Sequence, residues 1–325
     1  MGLDFKKPCT YTLSANEIRQ FSECARKRYY ASRDCLALRA NRPANALILG
    51  SAFHNALQYY YTKLNELVNQ CKEGDPDILE PSKVAGLLDS IDPFPLYNES
   101  VTEDGEVVQV PIIRAEDMKT LECMIENYKP QIAEDIIQFE IEGCEVNFNI
   151  ENWPIEDVQY HGLVDMVVRK RDNGKIYFFE HKTCSNFRPE IYSRFDIQLH
   201  IYAYYGKMTY GDEFGGMILN QVKKAKTLKG YDQDRSLYTY NEDELKSFEL
   251  WLKLKTSALT SPENNHAPCN NYMTCKMCEY IDICMVYGYG YPKTHEEIVD
   301  NIGFVDESGE ALYKYDPRDN EEGED

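Results

Sequence analysis

The sequence predicts an α/β fold in which a mixed central sheet is flanked by helices. Three observations carry that expectation. Runs rich in β-forming residues stand at 136–150, 158–170, 175–183 and 214–224. Segments with apolar residues at helical spacing precede and follow them. One more helical pattern, at 189–210, lies between two of the strands, where a crossover connection would sit.

The elements follow in order. SANEIRQFSECARKRYYASR (14–33) reads as one helix, with Ser14 as cap and Glu17 completing a capping box. Ile18, Phe21, Ala25 and Tyr29 then recur on one face. The segment 47–71 reads as a second helix starting near Gly50. Residues 72–115 are rich in Pro, Gly and Asp and read as short helices and loop, with a hairpin at EDGE (103–106). A helix at 119–133 should end near Pro130, so the insertion runs over about 72–135. The turn RDNG (171–174) lays strand 175–183 back against strand 158–170. A strand at 236–240 and a helix at 242–259 complete the core. A cysteine-bearing segment (269–284) follows. We expect a single domain over 1–310 and an acidic tail over 311–325.

Composition narrows the function. The chain has 325 residues, 43% hydrophobic and 12% aromatic, which supports a real core. No apolar run approaches a membrane helix, and MGLDFKKPCT fits neither a signal peptide nor a myristoylation pattern, so a cytoplasmic protein is expected. No GxxxxGK[ST] motif occurs, so coupling to ATP would come from another chain. The net charge of −20 runs against nucleic-acid binding unless a local basic channel or a partner supplies the contact. The basic stretches are Arg26–Lys27–Arg28 and KKAKTLK (223–229), each read either as a solvated face or as phosphate contacts. Tyr29, Tyr30 and Tyr59–Tyr61 are either core residues or platforms for unpaired bases.

The chemistry concentrates in GLVDMVVRKRDNGKIYFFEHKT (162–183). Asp165 interrupts an apolar strand, and Glu180 and Lys182 follow the apolar IYFF of the next. Residues i and i+2 of a strand share a face, so Glu180 and Lys182 point the same way. The turn brings Asp165 toward Glu180. Paired carboxylates hold Mg²⁺ or Mn²⁺, and a lysine beside them can orient a water and offset charge on a phosphate. The bland alternative is a half-exposed hairpin with ordinary charges, but carboxylates ending buried strands need a reason.

These residues resemble the PD-(D/E)xK nuclease superfamily, in particular its RecB-like branch. GSAFHNAL (50–57) is similar to that branch's GxxxH element, and DIQLHIYAY (196–204) to its QxxxY element. The opening helix, with a cysteine followed by basic and aromatic residues, also resembles it. The resemblance implies a restriction-endonuclease-like core. It implies that His54, Asp165 and Glu180 hold the metal, with the backbone carbonyl of His181 as a further ligand. Lys182 would position the nucleophilic water, and Gln198 and Tyr202, one helical turn apart, would support substrate and lysine.

Eleven cysteines in an intracellular-looking chain do not suggest disulfides. CKMCEYIDIC gives Cys275-x2-Cys278-x5-Cys284, three thiolates suited to Zn²⁺ or an iron–sulfur cluster. The fourth ligand is either Cys269, which spacing favours with zinc, or the distant Cys24. The resemblance favours Cys24. Members similar to AddB-type and CRISPR-adaptation nucleases join one N-terminal cysteine to a C-terminal C-x2-C-x5-C around a [4Fe–4S] cluster.

The expectation is therefore a Mg²⁺- or Mn²⁺-dependent DNA exonuclease acting on single strands or ends. Its setting would be recombination, repair or replication in a bacterium or bacteriophage. The alternative is a nuclease-shaped DNA-binding or scaffold subunit working with a helicase, integrase or other recombination factor.

Overall fold

The computed structural model describes residues 10–32, 36, 45–101, 107–261, 267–268, 271–288 and 290. Cys269, the proposed acidic tail and the EDGE turn lie outside the described residues. The chain divides into two compact units. The larger is Ala44–Phe148 with Gly162–Leu245, and the smaller is Met1–Pro43, Asn149–His161 and Lys246–Asp325.

The larger unit is built on the strands β4 (Phe139–Glu151), β5 (Val158–Lys170), β6 (Ile176–Cys184), β7 (Phe214–Lys223) and β8 (Gln233–Tyr238), of which β4 and β5 begin or end in the other unit. β4 pairs β5, β5 and β6 are antiparallel, β6 and β7 parallel, and β7 and β8 antiparallel. The parallel β6–β7 step needs a crossover, and α7 (Ile197–Tyr210) supplies it. This is the mixed sheet flanked by helices that the sequence predicts.

One face of the sheet packs on α3 (Asn45–Cys71) and α5 (Ala115–Gln138). Phe53, Tyr60 and Leu64 of α3 and Leu121, Tyr128 and Ile132 of α5 form one buried cluster with Met166, Val168, Phe179 and Val222. The other face meets α7, where Phe178 packs on Tyr205 and Tyr210. Strand alternation thus sends Phe178 and Phe179 to opposite helical layers.

α5 runs through Pro130 to Gln138, so the expected stop there is wrong. Proline removes one hydrogen bond, but Tyr128, Ile132, Asp135 and Ile136 around it are all buried, and that packing outweighs the local penalty. The insertion adds α4 (Pro81–Asp89) and the antiparallel pair β2 (Tyr97–Val101) and β3 (Val107–Pro111), which flank the predicted EDGE turn. The helix expected over 189–210 is two: α6 (Glu190–Arg194) and α7. Asp196 separates them and caps α7, its carboxylate accepting from the amides of Gln198 and Leu199.

In the smaller unit, a short β1 (Tyr11–Ser14) pairs in parallel with Val158–His161. Ser14 and Glu17 form the predicted capping box on α1 (Ala15–Glu23). The single helix predicted over 14–33 breaks at Cys24, whose backbone is extended (φ −165°), and α2 (Ala25–Ala31) follows. Two readings of this stretch change. Arg26 and Arg28 are 1% and 3% exposed, so neither a solvated face nor phosphate contact fits them. Arg28 instead meets Glu17, and the Arg26 guanidinium donates to the carbonyl of Gly288 at 2.6 Å. Likewise Tyr30, Tyr60 and Tyr61 are buried core residues, not base platforms. The helix predicted over 242–259 is present as α8 (Glu242–Thr260), and α9 (Tyr272–Lys276) and α10 (Ile281–Tyr287) carry the cysteine segment.

The glycine of GLVD has a steric reason. A Cβ at Gly162 would stand 2.5 Å from the Phe148 ring and 2.8 Å from that of Tyr202. Gly162→Ala should therefore displace Tyr202 and lower stability by about 1–3 kcal/mol, as overpacking does, measured by urea unfolding. An unchanged midpoint would show that the two rings yield freely.

Candidate metal centre

Asp165 on β5 anchors the site. Its Oδ2 accepts from the backbone N–H of His181 at 2.6 Å, and its Oδ1 lies 3.4 Å from His54 Nδ1 on α3. Burial pushes Asp165 upward, but the bond and charge of His54 and the position of His181 hold it below the ordinary carboxylate range. His54 is the mirror case: burial lowers it, and Asp165 and Glu180 raise it above the usual imidazole value. Gly50 lets α3 approach this edge of the sheet, since a Cβ there would stand 3.2 Å from Thr183 Oγ1.

Glu180 and Lys182 share a face of β6, as the alternation requires. Glu180 is 2% exposed. Its Oε1 accepts from Lys182 Nζ and, at 2.9 Å, from Gln198 Nε2. Lys182 also donates to Gln198 Oε1 at 2.9 Å, which closes a triangle. Glu180 Oε2 is buried with no hydrogen-bond partner among the described residues. Burial, then the nearby Asp165, raises the Glu180 carboxyl to about 7, against the pull of Lys182. Lys182 is lowered by burial and raised by Glu180, and its ammonium form wins. Gln198 Nε2 also meets the Tyr202 hydroxyl at 3.0 Å, and that hydroxyl donates to the carbonyl of Leu163 at 2.9 Å. α7 is thereby tied to the strand that carries Asp165.

His181 faces the other way. Its ring stacks on Tyr61, and Asn220 Nδ2 donates to its Nδ1 at 3.0 Å. Burial lowers its pKa to about 3, so the ring is neutral, with the proton on Nε2. Asn220 stands beside His181 in the β6–β7 register, and Arg235 beside Asn220 in the β7–β8 register. Arg235 forms a two-pronged pair with the buried Asp135 on α5, at 2.5 and 3.0 Å, and donates to Tyr128 at 2.9 Å. Tyr61 donates to Asp135 at 2.5 Å. Apart from Tyr61, which the sequence offers as a core residue or base platform, none of these partners was singled out from sequence.

Glu145 is a candidate ligand that the sequence reading missed. Among the described residues, His54, Glu145 and Asp165 each present one ligand atom, all within 4.8 Å of one another. They line a cavity of about 10 Å³, room for about one water or ion. Glu145 has φ +52° within β4, which turns its side chain off the strand's regular alternation. Burial and Asp165 raise its carboxyl, and His54 lowers it. The preceding Gly143 was the available signal, because glycine inside a strand marks such a bulge.

The donor set, one imidazole and two carboxylates with the unpartnered Glu180 Oε2 nearby, fits a divalent cation that accepts nitrogen and oxygen. In the smaller unit, Cys24, Cys275, Cys278 and Cys284 line one cavity of about 220 Å³ together with Arg26, Lys27 and Tyr30. Burial raises the Cys278 thiol to about 11. Burial, then the nearby Cys284, raises the Tyr30 hydroxyl at the same cavity.

A mixed sheet that buries a carboxylate on one strand and a Glu-x-Lys pair on the next, beside an imidazole from a helix, defines a metal-dependent nuclease. The chain belongs to the PD-(D/E)XK nuclease superfamily, whose family model matches residues 12–285. No curated protein matches the chain. Among solved structures, one described as the crystal structure of SSO0001 is 20% identical, with a TM-score of 0.30, over 51% of this chain and 76% of that one.

Two outcomes test the site. Glu145→Gln and His54→Ala should each weaken Mn²⁺ binding, read by titration calorimetry, by about tenfold or more. Unchanged affinity in Glu145→Gln would remove that residue from the site. Asp135→Ala should lower stability by about 3–5 kcal/mol in urea melts, since it strands the Arg235 charge. A loss below about 1 kcal/mol would show the pair to be dispensable.

Proposed function

We propose that the protein is a Mg²⁺- or Mn²⁺-dependent DNA exonuclease of the RecB-like branch. It would act on single strands or ends in recombination, repair or replication. The observation that carries the reading is the Lys182–Glu180–Gln198 triangle beside the His54–Glu145–Asp165 cavity. His54, Asp165 and Glu145 would hold the cation, with Glu180 Oε2 and the His181 carbonyl as further donors. When bound there, a divalent cation would supply Lewis acidity toward the phosphodiester and toward water. Lys182 keeps its proton at the reaction pH, so its Nζ–H orients the attacking water and offsets charge growing on the phosphate. Gln198 keeps the ammonium aimed, through bonds to Lys182, Glu180 and Tyr202.

The cysteine cavity supports a [4Fe–4S] cluster held by Cys24, Cys275, Cys278 and Cys284. All four thiols line the same cavity, and that shared lining supports the reading, with zinc as the alternative. The cluster would join the start of α2 to α9 and α10. A second reading, a DNA-binding or scaffold subunit beside a helicase or integrase, draws on the charge of −20.

Lys182→Ala should lower Mn²⁺-dependent degradation of labelled DNA by about a hundredfold or more, in protein purified without oxygen. Equal activity in the two proteins would leave the scaffold reading standing. The wild type should contain iron and acid-labile sulfide, and Cys24→Ser should lose both. Stoichiometric zinc in their place would overturn the cluster.

A further inference from the structure

We propose that the surface running from Lys182 along 186–196 is a track for single-stranded DNA, with Tyr192 and Phe195 as stacking platforms for unpaired bases. This deepens the nuclease reading and rests on it. A cavity of about 220 Å³ opens beside the lysine, lined by Lys182, Asn186, Arg188, Asp196 and Gln221 among others. The segment that borders it is held at its neck. The Arg188 backbone N–H donates to Gln221 Oε1 at 2.8 Å, and its guanidinium pairs with Asp196 at 2.7 Å. Between those ends, Ile191, Tyr192 and Phe195 are 64%, 67% and 72% exposed. Three large apolar side chains so exposed within five positions, next to the lysine of the site, mark a binding surface.

The charge beside them selects the occupant. Burial raises the Cys184 thiol on the cavity wall, while Lys223, Lys224 and Arg188 pull it down and Asp234 pushes it up, which places three cations about this wall. Lys223 also pairs with Asp232 at 3.0 Å. Lys223 Nζ sits 4.5 Å from the centroid of the Phe187 ring. A polyanion with free π faces answers both features: phosphates meet the cations, and unpaired bases stack on the rings. A protein partner would need only the rings. A duplex keeps its base faces covered. The arrangement also answers the net charge of −20, because attraction is required only along this strip.

The test is fluorescence anisotropy in EDTA, with a labelled oligothymidylate and a blunt duplex as probes, and circular dichroism to verify folding. The wild type should prefer the single strand. Tyr192→Ala with Phe195→Ala should raise its Kd about tenfold or more and leave the duplex value in place, while Phe195→Trp retains affinity. Arg188→Gln should flatten the dependence of log K on log salt by about 0.7. With metal added, the loss should fall on KM more than on kcat. If the wild type cuts DNA and the double variant binds and cuts with unchanged Kd and KM, the track is overturned and the rings belong to a protein partner. If the wild type neither binds nor cuts DNA, the nuclease reading itself fails.

Discussion

Two carboxylates buried in one sheet, Asp165 and Glu180, set the terms for the larger unit. A charge taken out of water is costly unless something compensates it, and each carboxylate here has a different answer. Asp165 is held ionised by a backbone N–H and an imidazole. Glu180 is shared between an ammonium and an amide on one oxygen, while its other oxygen has no partner among the described residues. That imbalance is a reason for a cation, since metal coordination satisfies a buried lone pair that the protein leaves open.

Behind the site stands a second polar array. His181, Asn220 and Arg235 occupy successive strands in register, and Arg235 ends on Asp135 of the neighbouring helix. Each member spends its hydrogen-bonding capacity on the next, so a charged pair survives inside a core of Phe179, Tyr128 and Tyr61. The array backs the strand whose amide at His181 positions Asp165. It connects folding of the sheet edge with the geometry of the site, because a shift of β7 or β8 would move the ring beside that amide.

Much of this was legible beforehand. The strands β4 to β7 and the helices α3, α7 and α8 follow from periodicity, because each buries a face whose spacing is written in the chain. β1 was not foreseen, and β8 (Gln233–Tyr238) starts and ends earlier than the strand expected at 236–240. Glu180 and Lys182 on one face, and Gln198 one turn from Tyr202, follow from the geometry of a strand and a helix. The breaks were not legible. Cys24 interrupts a continuous helical pattern, and Pro130 fails to interrupt one, because in each case packing against distant residues overrides the local preference. Glu145 escaped notice because a single positive φ changes which way a strand residue points.

What the sequence by itself determined was the set of chemical groups and their order: an imidazole, a carboxylate, a Glu-x-Lys pair, a Gln–Tyr pair, and thiols near the two ends of the chain. Short-range geometry carried those assignments, since spacings of two and four residues have fixed meanings on strands and helices. Only the tertiary structure decided which carboxylate stands with His54 and Asp165 and which cysteines share a cavity. Those facts join residues tens to hundreds of positions apart, and no local preference specifies such distances. They emerge when the apolar faces of strands and helices are buried together and the polar groups left among them must find one another.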